Sequence, residues 1–283
     1  MRLSIIIPTF NNIKHLKFLL NSLKKNSKFL HEIILHINDG SDGTLAYIKE
    51  NNFLFTHSHY NIGLCSSVNN AAKLSTTKYI LYVHDDMYFC KNWDFFLKNE
   101  IELYAHNNFY ISGTNVSVNN GIINYDCGSS IENFDKHKFD TFCEKDSSAD
   151  IQGSSWAPHL IHKDLWNKIG GFSEEFNPGD ASDPDLCMKL WTENVRIFKC
   201  LAKFKVYHFS SVTTRKKNIV LNKGTNKFLL KYGFNPRFFR KYYLQGHLEK
   251  KFDGPLPEVK ITFKMLFSLL INKFKFIYVK FFN

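Results

Sequence analysis

His84, Asp85 and Asp86 follow directly on the apolar run Tyr79, Ile80, Leu81, Tyr82 and Val83. Adjacent carboxylates repel each other unless a cation lies beside or between them. At the end of an apolar run they read as the C-terminal edge of a buried strand, where open α/β sheets bind their ligands. A divalent metal holding a phosphorylated ligand is the chemistry such a pair suits. The same residues also read as a strand running into a solvated Asp-Asp turn. The pair alone does not choose between the two.

The elements around the pair do favour one reading. LSIIIPTFNN is a short apolar run ended by Pro8, with Thr9, Phe10, Asn11 and Asn12 opening a loop; it reads as a buried first strand. KHLKFLLNSLKK then places Leu16, Leu19, Leu20 and Leu23 at helical spacing. EIILHINDGSDGT is a second buried run, Glu32 to Ile37, that empties into Asn38, Asp39, Gly40 and Ser41. NFLFTHSHYNIG reads as a third strand, and a helix follows from about Leu64 to Leu74. The order strand, helix, strand, short helix, strand, helix, strand predicts an α/β fold. Polar residues at each clear strand's C-terminal end predict a parallel sheet with a nucleotide site on one edge.

IIIPTFNN, INDGSDGT, NIG with Asn69 a little further on, and YILYVHDD resemble, in this order, the inverting family-2 glycosyltransferases of the GT-A fold. GGFSEEFNPGDASDPDLCMKLW resembles that family's GGFDE…EDxDL segment, and VYHFSS its late metal-binding histidine. The resemblance covers roughly residues 3 to 215. It implies a Rossmann-like, mostly parallel central sheet with flanking helices, and transfer of a sugar from a nucleotide-diphosphate donor. It places Asp86 and His208 on a divalent metal, Mn2+ or Mg2+, and turns Asp85 toward the ribose. Pro8, Thr9, Phe10 and Asn11 would line the base pocket, with Asp39 accepting from a pyrimidine ring N–H. Asp39 is equally the first residue of a tight Asp-Gly turn. Gly63 and Asn69 belong to an NxGxxxxxN-like helix start whose amides would face phosphate.

The resemblance also makes Asp183 the base that takes the acceptor proton. On its own, Asp183 before Pro184 reads as a helix N-cap followed by Pro at the first helical position. The two roles are compatible, and Asp185 and Asp180 are the other carboxylates nearby. Gly170-Gly171-Phe172 marks a tight backbone approach near the acceptor side. Residues 113–155 are polar and turn-rich and read as loops. Trp156 reads as a core residue before a sugar platform. Four positions depart from the family pattern: His84 and Asn38 stand in place of Asp, Ser182 in place of Glu, and Val68 in place of Arg or Lys. His84 reads as a group behind the metal ligands or as filler.

The chain has 283 residues, ample for one large core and an appendage. Its six cysteines form no CxxC pair and read as reduced thiols of a cytosolic protein. The apolar start is too short before Pro8 to be a targeting segment, and no uncharged run is long enough to span a bilayer. The formal net charge is +11, but residues 196–283 hold 20 Lys/Arg against 3 Asp/Glu. The extent of the resemblance implies a catalytic domain over residues 1–215 and a helical extension over 216–283, and the charge asymmetry makes that extension basic, with an anionic partner. KITFKMLFSLLINKFKFIYVKFFN interleaves lysine with large apolar groups, which suits an anionic membrane surface and not nucleic acid. The segment packing back on the domain or on a second subunit is the other possibility.

Together these features predict a metal-dependent inverting glycosyltransferase, cytoplasmic and peripheral at the inner face of the membrane. Its donor would be a UDP- or dTDP-type sugar and its acceptor a glycan or lipid-linked glycan. A nucleotidyltransferase is disfavoured because the first loop lacks a Gly-rich, basic phosphate signature. The four departures keep a catalytically degenerate sugar-nucleotide-binding module in view.

Overall fold

The computed structural model describes residues 1–209, 223–246 and 250–282. The expected boundary between residues 215 and 216 lies outside the described residues. The first four strands are β1 (Ser4–Phe10), β2 (Glu32–Asn38), β3 (Leu54–Ser58) and β4 (Tyr79–Tyr82), separated by α1 (Ile13–Asn26), α2 (Thr44–Glu50) and α3 (Leu64–Ala72). This alternation matches the order read from the sequence. Leu16, Leu19, Leu20 and Leu23 are buried on α1 while Lys14, Lys17, Lys24 and Lys25 stay exposed. Each such leucine contributes about 2 kcal/mol through burial.

β1 does not stop at Pro8. It stays paired with β2 through Pro8, Thr9 and Phe10, whereas β4 pairs with it only over Ser4 to Ile6. Along a strand, alternate residues turn their amides to opposite neighbours. The Ile6 carbonyl accepts from Val83 N on the β4 side, so Pro8 faces that side too, beyond the last β4 pair. Its missing N–H therefore costs the ladder nothing.

The rest of the sheet uses β5 (Met87–Phe89), β6 (Phe109–Ser117), β7 (Ile123–Asn124), β8 (Ile151–Gln152), β9 (His159–His162) and β10 (Ile197–His208). Interspersed are α4 (Trp93–Ile101), α5 (Lys136–Lys145), α6 (Lys163–Ile169) and α7 (Ser182–Thr192). The order is β3-β2-β1-β4-β9-β6-β10-β5, with β7 beside β6 and β8 beside β10. β9 runs antiparallel to β4 and β6, and β5 antiparallel to β10. The sheet is therefore mixed, and the expected parallel arrangement holds for its first four strands. Residues 113–155 are not simply loops, because β6 is an inner strand whose residues are nearly all buried. Trp156 is only half-buried, with its indole N–H on the Gly113 carbonyl at 3.1 Å.

Beyond residue 222 the described helices are α8 (Gly224–Tyr232), α9 (Pro236–Tyr242) and α10 (Phe263–Phe282). α8 and α9 pack together, α9 packs on α7, and α10 packs on α8. All six cysteines are free thiols, and all but Cys143 are buried.

Candidate active site

β1, β2 and β4 are parallel neighbours, so their C-terminal ends open on the same edge. Thr9, at the end of β1, donates from Oγ1 to Asp85 Oδ2 at 2.7 Å, just past β4. Asn38, ending β2, is buried and gives its amide to the Thr9 carbonyl at 3.3 Å and Ser67 Oγ at 2.9 Å. Its Oδ1 accepts from Ile62 N at 2.9 Å. An ionised Asp in its place could not donate, which accounts for Asn at this departure. Asn11 and Asp39 both adopt left-handed backbone, with φ of 45° and 62°. Asn11 Nδ2 donates to Asp39 Oδ2 at 2.7 Å, and Asn11 Oδ1 accepts from Gly40 N at 2.8 Å. Asp39 is thus a turn residue whose half-buried carboxylate is held at the strand edge. Pro8 and Phe10 are half-buried beside it.

Across the edge, strand register brings in a residue far along the chain. β10 pairs antiparallel with β5, with His208 opposite Met87. Phe209 N donates to the Asp86 carbonyl at 3.1 Å. His208 Nε2 consequently lies 3.1 Å from Asp86 Oδ1, and His84 Nδ1 lies 3.4 Å from His208 Nε2. One ligand atom from each of His84, Asp86 and His208 falls within 4.8 Å of the others. Two imidazoles and a carboxylate at that spacing fit a divalent ion and leave coordination positions open. His84 is thereby one of three convergent groups; its place beside the acidic pair was the available sequence signal.

The electrostatics agree with that grouping. Burial and then the positive charge of His208 push the His84 imidazole down to about 4, so it is neutral near pH 7. Burial also opposes charge on Asp86, but His208's charge and hydrogen bond outweigh it and hold that carboxyl below its ordinary value. Burial alone would lower His208, and Asp86 instead keeps it above its ordinary value. Burial and then the Asp86 charge push Asp85 up, against the Thr9 hydrogen bond.

α3 was expected to offer its first amides to phosphate. Those amides have protein partners: Leu64 N donates to the Pro178 carbonyl at 3.3 Å, and Cys65 N and Ser66 N to Asn177 Oδ1 at 2.9 and 3.4 Å. Gly63 precedes them at φ 86°, and an added Cβ would collide with the Asn177 side chain. Asn69 exchanges two hydrogen bonds with the Phe172 backbone, at 2.8 and 2.9 Å. That pairing fixes the Gly170-Gly171-Phe172 turn against α3. Val68 is fully buried, so the core takes the place of a donor contact there.

Asp183 is not the N-cap. α7 starts at Ser182, after Ala181 in left-handed backbone, which puts Asp183 and Pro184 inside the first turn. Pro is tolerated there because first-turn amides have no intrahelical partner. Freed from capping, Asp183 Oδ1 is sealed from solvent with no hydrogen-bond partner among the described residues. Burial pushes its carboxyl up to about 7, opposed by the Arg240 guanidinium from α9. Nothing in the sequence linked Arg240 to this site. Tyr82 is fully buried, and the charges of Asp183, Asp85 and Asp86 all reach its hydroxyl. Among the described residues its hydroxyl likewise has no partner.

Asp185 differs. It is fully buried and accepts from Ser173 Oγ at 2.6 Å, Tyr232 Oη at 2.7 Å and Lys231 Nζ at 2.8 Å. It ties α7 to α8. Asp185→Ala should lower stability by about 3 kcal/mol, because Lys231 and Tyr232 lose their shared acceptor. Thermal unfolding measures this, and an unchanged melting temperature would reject the tie.

S. aureus TarS 1–349 in complex with UDP superposes with a TM-score of 0.54 at 20% identity, over 73% of this chain and 60% of that one. The same TarS piece in complex with UDP-GlcNAc gives 0.54 at 17%, over 99% and 81%. GalNAc-T7 with UDP, GalNAc and Mn2+ gives 0.60 at 14%, over 86% and 50%. The chain thus spans 60% of the first structure's length and half of GalNAc-T7's, and these likenesses concern the fold. No curated protein matches the chain. The model of the family described as Glycosyl transferase family 2 matches residues 4–158, from β1 through the strand ends that carry Thr9, Asp39, Asp85 and Asp86. With more than half of its length so matched, on a GT-A-like mixed sheet, the chain belongs to glycosyl transferase family 2.

Proposed function

We propose that the protein is a metal-dependent, inverting glycosyltransferase that moves a sugar from a UDP- or dTDP-type donor to a glycan or lipid-linked glycan. The observation that carries this is the convergence of His84, Asp86 and His208 beside Asp85 at the ends of the parallel strands. TarS bound to UDP and GalNAc-T7 bound to UDP and Mn2+ lend the donor and metal classes. Asp39 accepts from the base, and Asp85, braced by Thr9, faces the ribose. Pro8, Phe10 and Asn11 border the base pocket, while Gly63 and Asn69 shape the donor side through Asn177 and Phe172. His84, Asp86 and His208 hold the ion, Mn2+ in preference to Mg2+ because imidazole suits softer ions than Mg2+. When bound, the ion supplies Lewis-acid stabilisation of the diphosphate leaving group.

Asp183 takes the acceptor proton from the face opposite the leaving group. A carboxyl raised to about 7 is poised for that at neutral pH. The sign follows directly: Asp183 is charged above this value and neutral below it. The specificity constant for transfer should therefore fall as pH drops through about 7, and a profile flat from pH 5 to 9 would remove Asp183 from the step. Residues 1–215 form the catalytic domain in this reading, and the basic extension keeps the enzyme at an anionic membrane on the cytoplasmic side.

Incubation with UDP-sugars, with and without Mn2+, tests the assignment. Release of UDP that depends on the ion is expected. Release of pyrophosphate on mixing a sugar phosphate with UTP would instead make it a nucleotidyltransferase. UDP binding with no turnover on any donor would make it a binding module.

A further inference from the structure

Among the described residues, α10 meets the rest of the molecule along one face. Met265 and Asn272 are buried there, and Asn272 Oδ1 accepts from Asn235 N at 3.0 Å. At about 3.6 residues per turn, Phe263, Phe267, Leu270, Phe274, Ile277 and Phe281 line up on the opposite face. They are 44–88% exposed, in a continuous apolar stripe. A stripe of this length left bare on a protein surface marks an interaction site. The same helical count sets Lys264 and Lys275 along one border of the stripe and Lys273 and Lys280 along the other.

We infer that this outward face of α10 is a docking surface for an anionic lipid bilayer, with the helix lying in the surface plane. The occupant must be apolar along the middle and negative along both edges. Acyl chains beneath anionic headgroups have that profile, and lysines at both borders reach the headgroups while their stems follow the apolar stripe. A second copy lacks it, since pairing stripe to stripe would set lysine against lysine along both seams, and no acidic residue follows Glu258. Among the described residues no helix is long and apolar enough to cross a membrane, which leaves the in-plane pose. The inference rests on the association with an anionic membrane proposed above and adds the face and the pose.

The full chain with Phe274→Trp, mixed with phosphatidylglycerol-containing vesicles, should show blue-shifted tryptophan emission relative to the wild-type background and should co-sediment. Neutral vesicles should hold it far less. Lys273→Gln with Lys280→Gln should weaken partitioning at low salt by roughly 25-fold, about five-fold per lysine. Phe267→Ser with Phe281→Ser should abolish insertion at any salt, with circular dichroism and melting unchanged because both side chains are exposed. Equal partitioning of wild type and the serine variant, or equal binding to neutral and anionic vesicles, overturns the inference. So does a dimer in sedimentation equilibrium that the serine variant dissolves, since a second copy would then cover the stripe. UDP binding measured on the same samples separates the readings: its loss alongside intact vesicle binding would fault the catalytic proposal and leave this one standing.

Discussion

Asp183→Asn is expected to leave UDP affinity unchanged and to lower sugar transfer by roughly 10²–10⁴-fold, the usual worth of a positioned base. The substitution preserves shape and takes away the group that accepts a proton. Because Asp183 does not cap α7 and its Oδ1 has no hydrogen-bond partner among the described residues, little folding energy depends on its charge. The amide should even relieve the burial that opposes ionisation. Melting temperature should therefore hold or rise while turnover collapses. Calorimetry with UDP and a transfer assay on one sample read both halves. Near-normal turnover would move the base elsewhere, and a lower melting temperature would assign Asp183 a structural task.

Asp86→Ala should eliminate the enhancement of UDP binding by Mn2+. Among the described residues Asp86 is the only carboxylate in the cluster with His84 and His208, and it holds the ring of His208 through their 3.1 Å contact. The fall in ion affinity should be at least the 10–100-fold that loss of an outer partner typically costs. His84→Ala should reduce Mn2+ affinity without affecting UDP binding in chelator. Electron paramagnetic resonance of bound Mn2+ reports both changes directly. Metal-dependent UDP affinity that persists in Asp86→Ala would place the ion on other residues.

The first half of the sheet was legible because parallel strands buried on both faces read as continuous apolar runs, and Ser4–Phe10, Glu32–Asn38 and Tyr79–Tyr82 are such runs. The second half was not. β10 carries Lys199 and Lys205, which break the apolar pattern but are buried against acids: Lys199 lies 2.8 Å from both Glu100 and Asp150, and Lys205 lies 2.9 Å from Asp146. Charge pairing between distant segments leaves no local trace. The α7 start was misread as well. Asp-Pro is a strong capping signal, yet Ala181, with a φ of 60°, takes the position. At the site, Asp39, Asp85, Asp86 and His208 stood out by type and order, while the part of His84 required knowing which ring lies across the sheet.

β10 is the last described strand of the sheet, and it lies between β6 and β5, not at a border. A chain emerging from the ribosome therefore exposes the open flanks of β6 and β5 until about residue 208 has been made. Unpaired flanks of that kind are where nascent proteins stick to one another. His208 is the last residue of the strand that closes them, so the cluster of His84, Asp86 and His208 cannot assemble before that strand is made. Added Mn2+ should thus favour the fully zipped chain over every earlier species, making metal supply during synthesis a lever on yield as well as on activity.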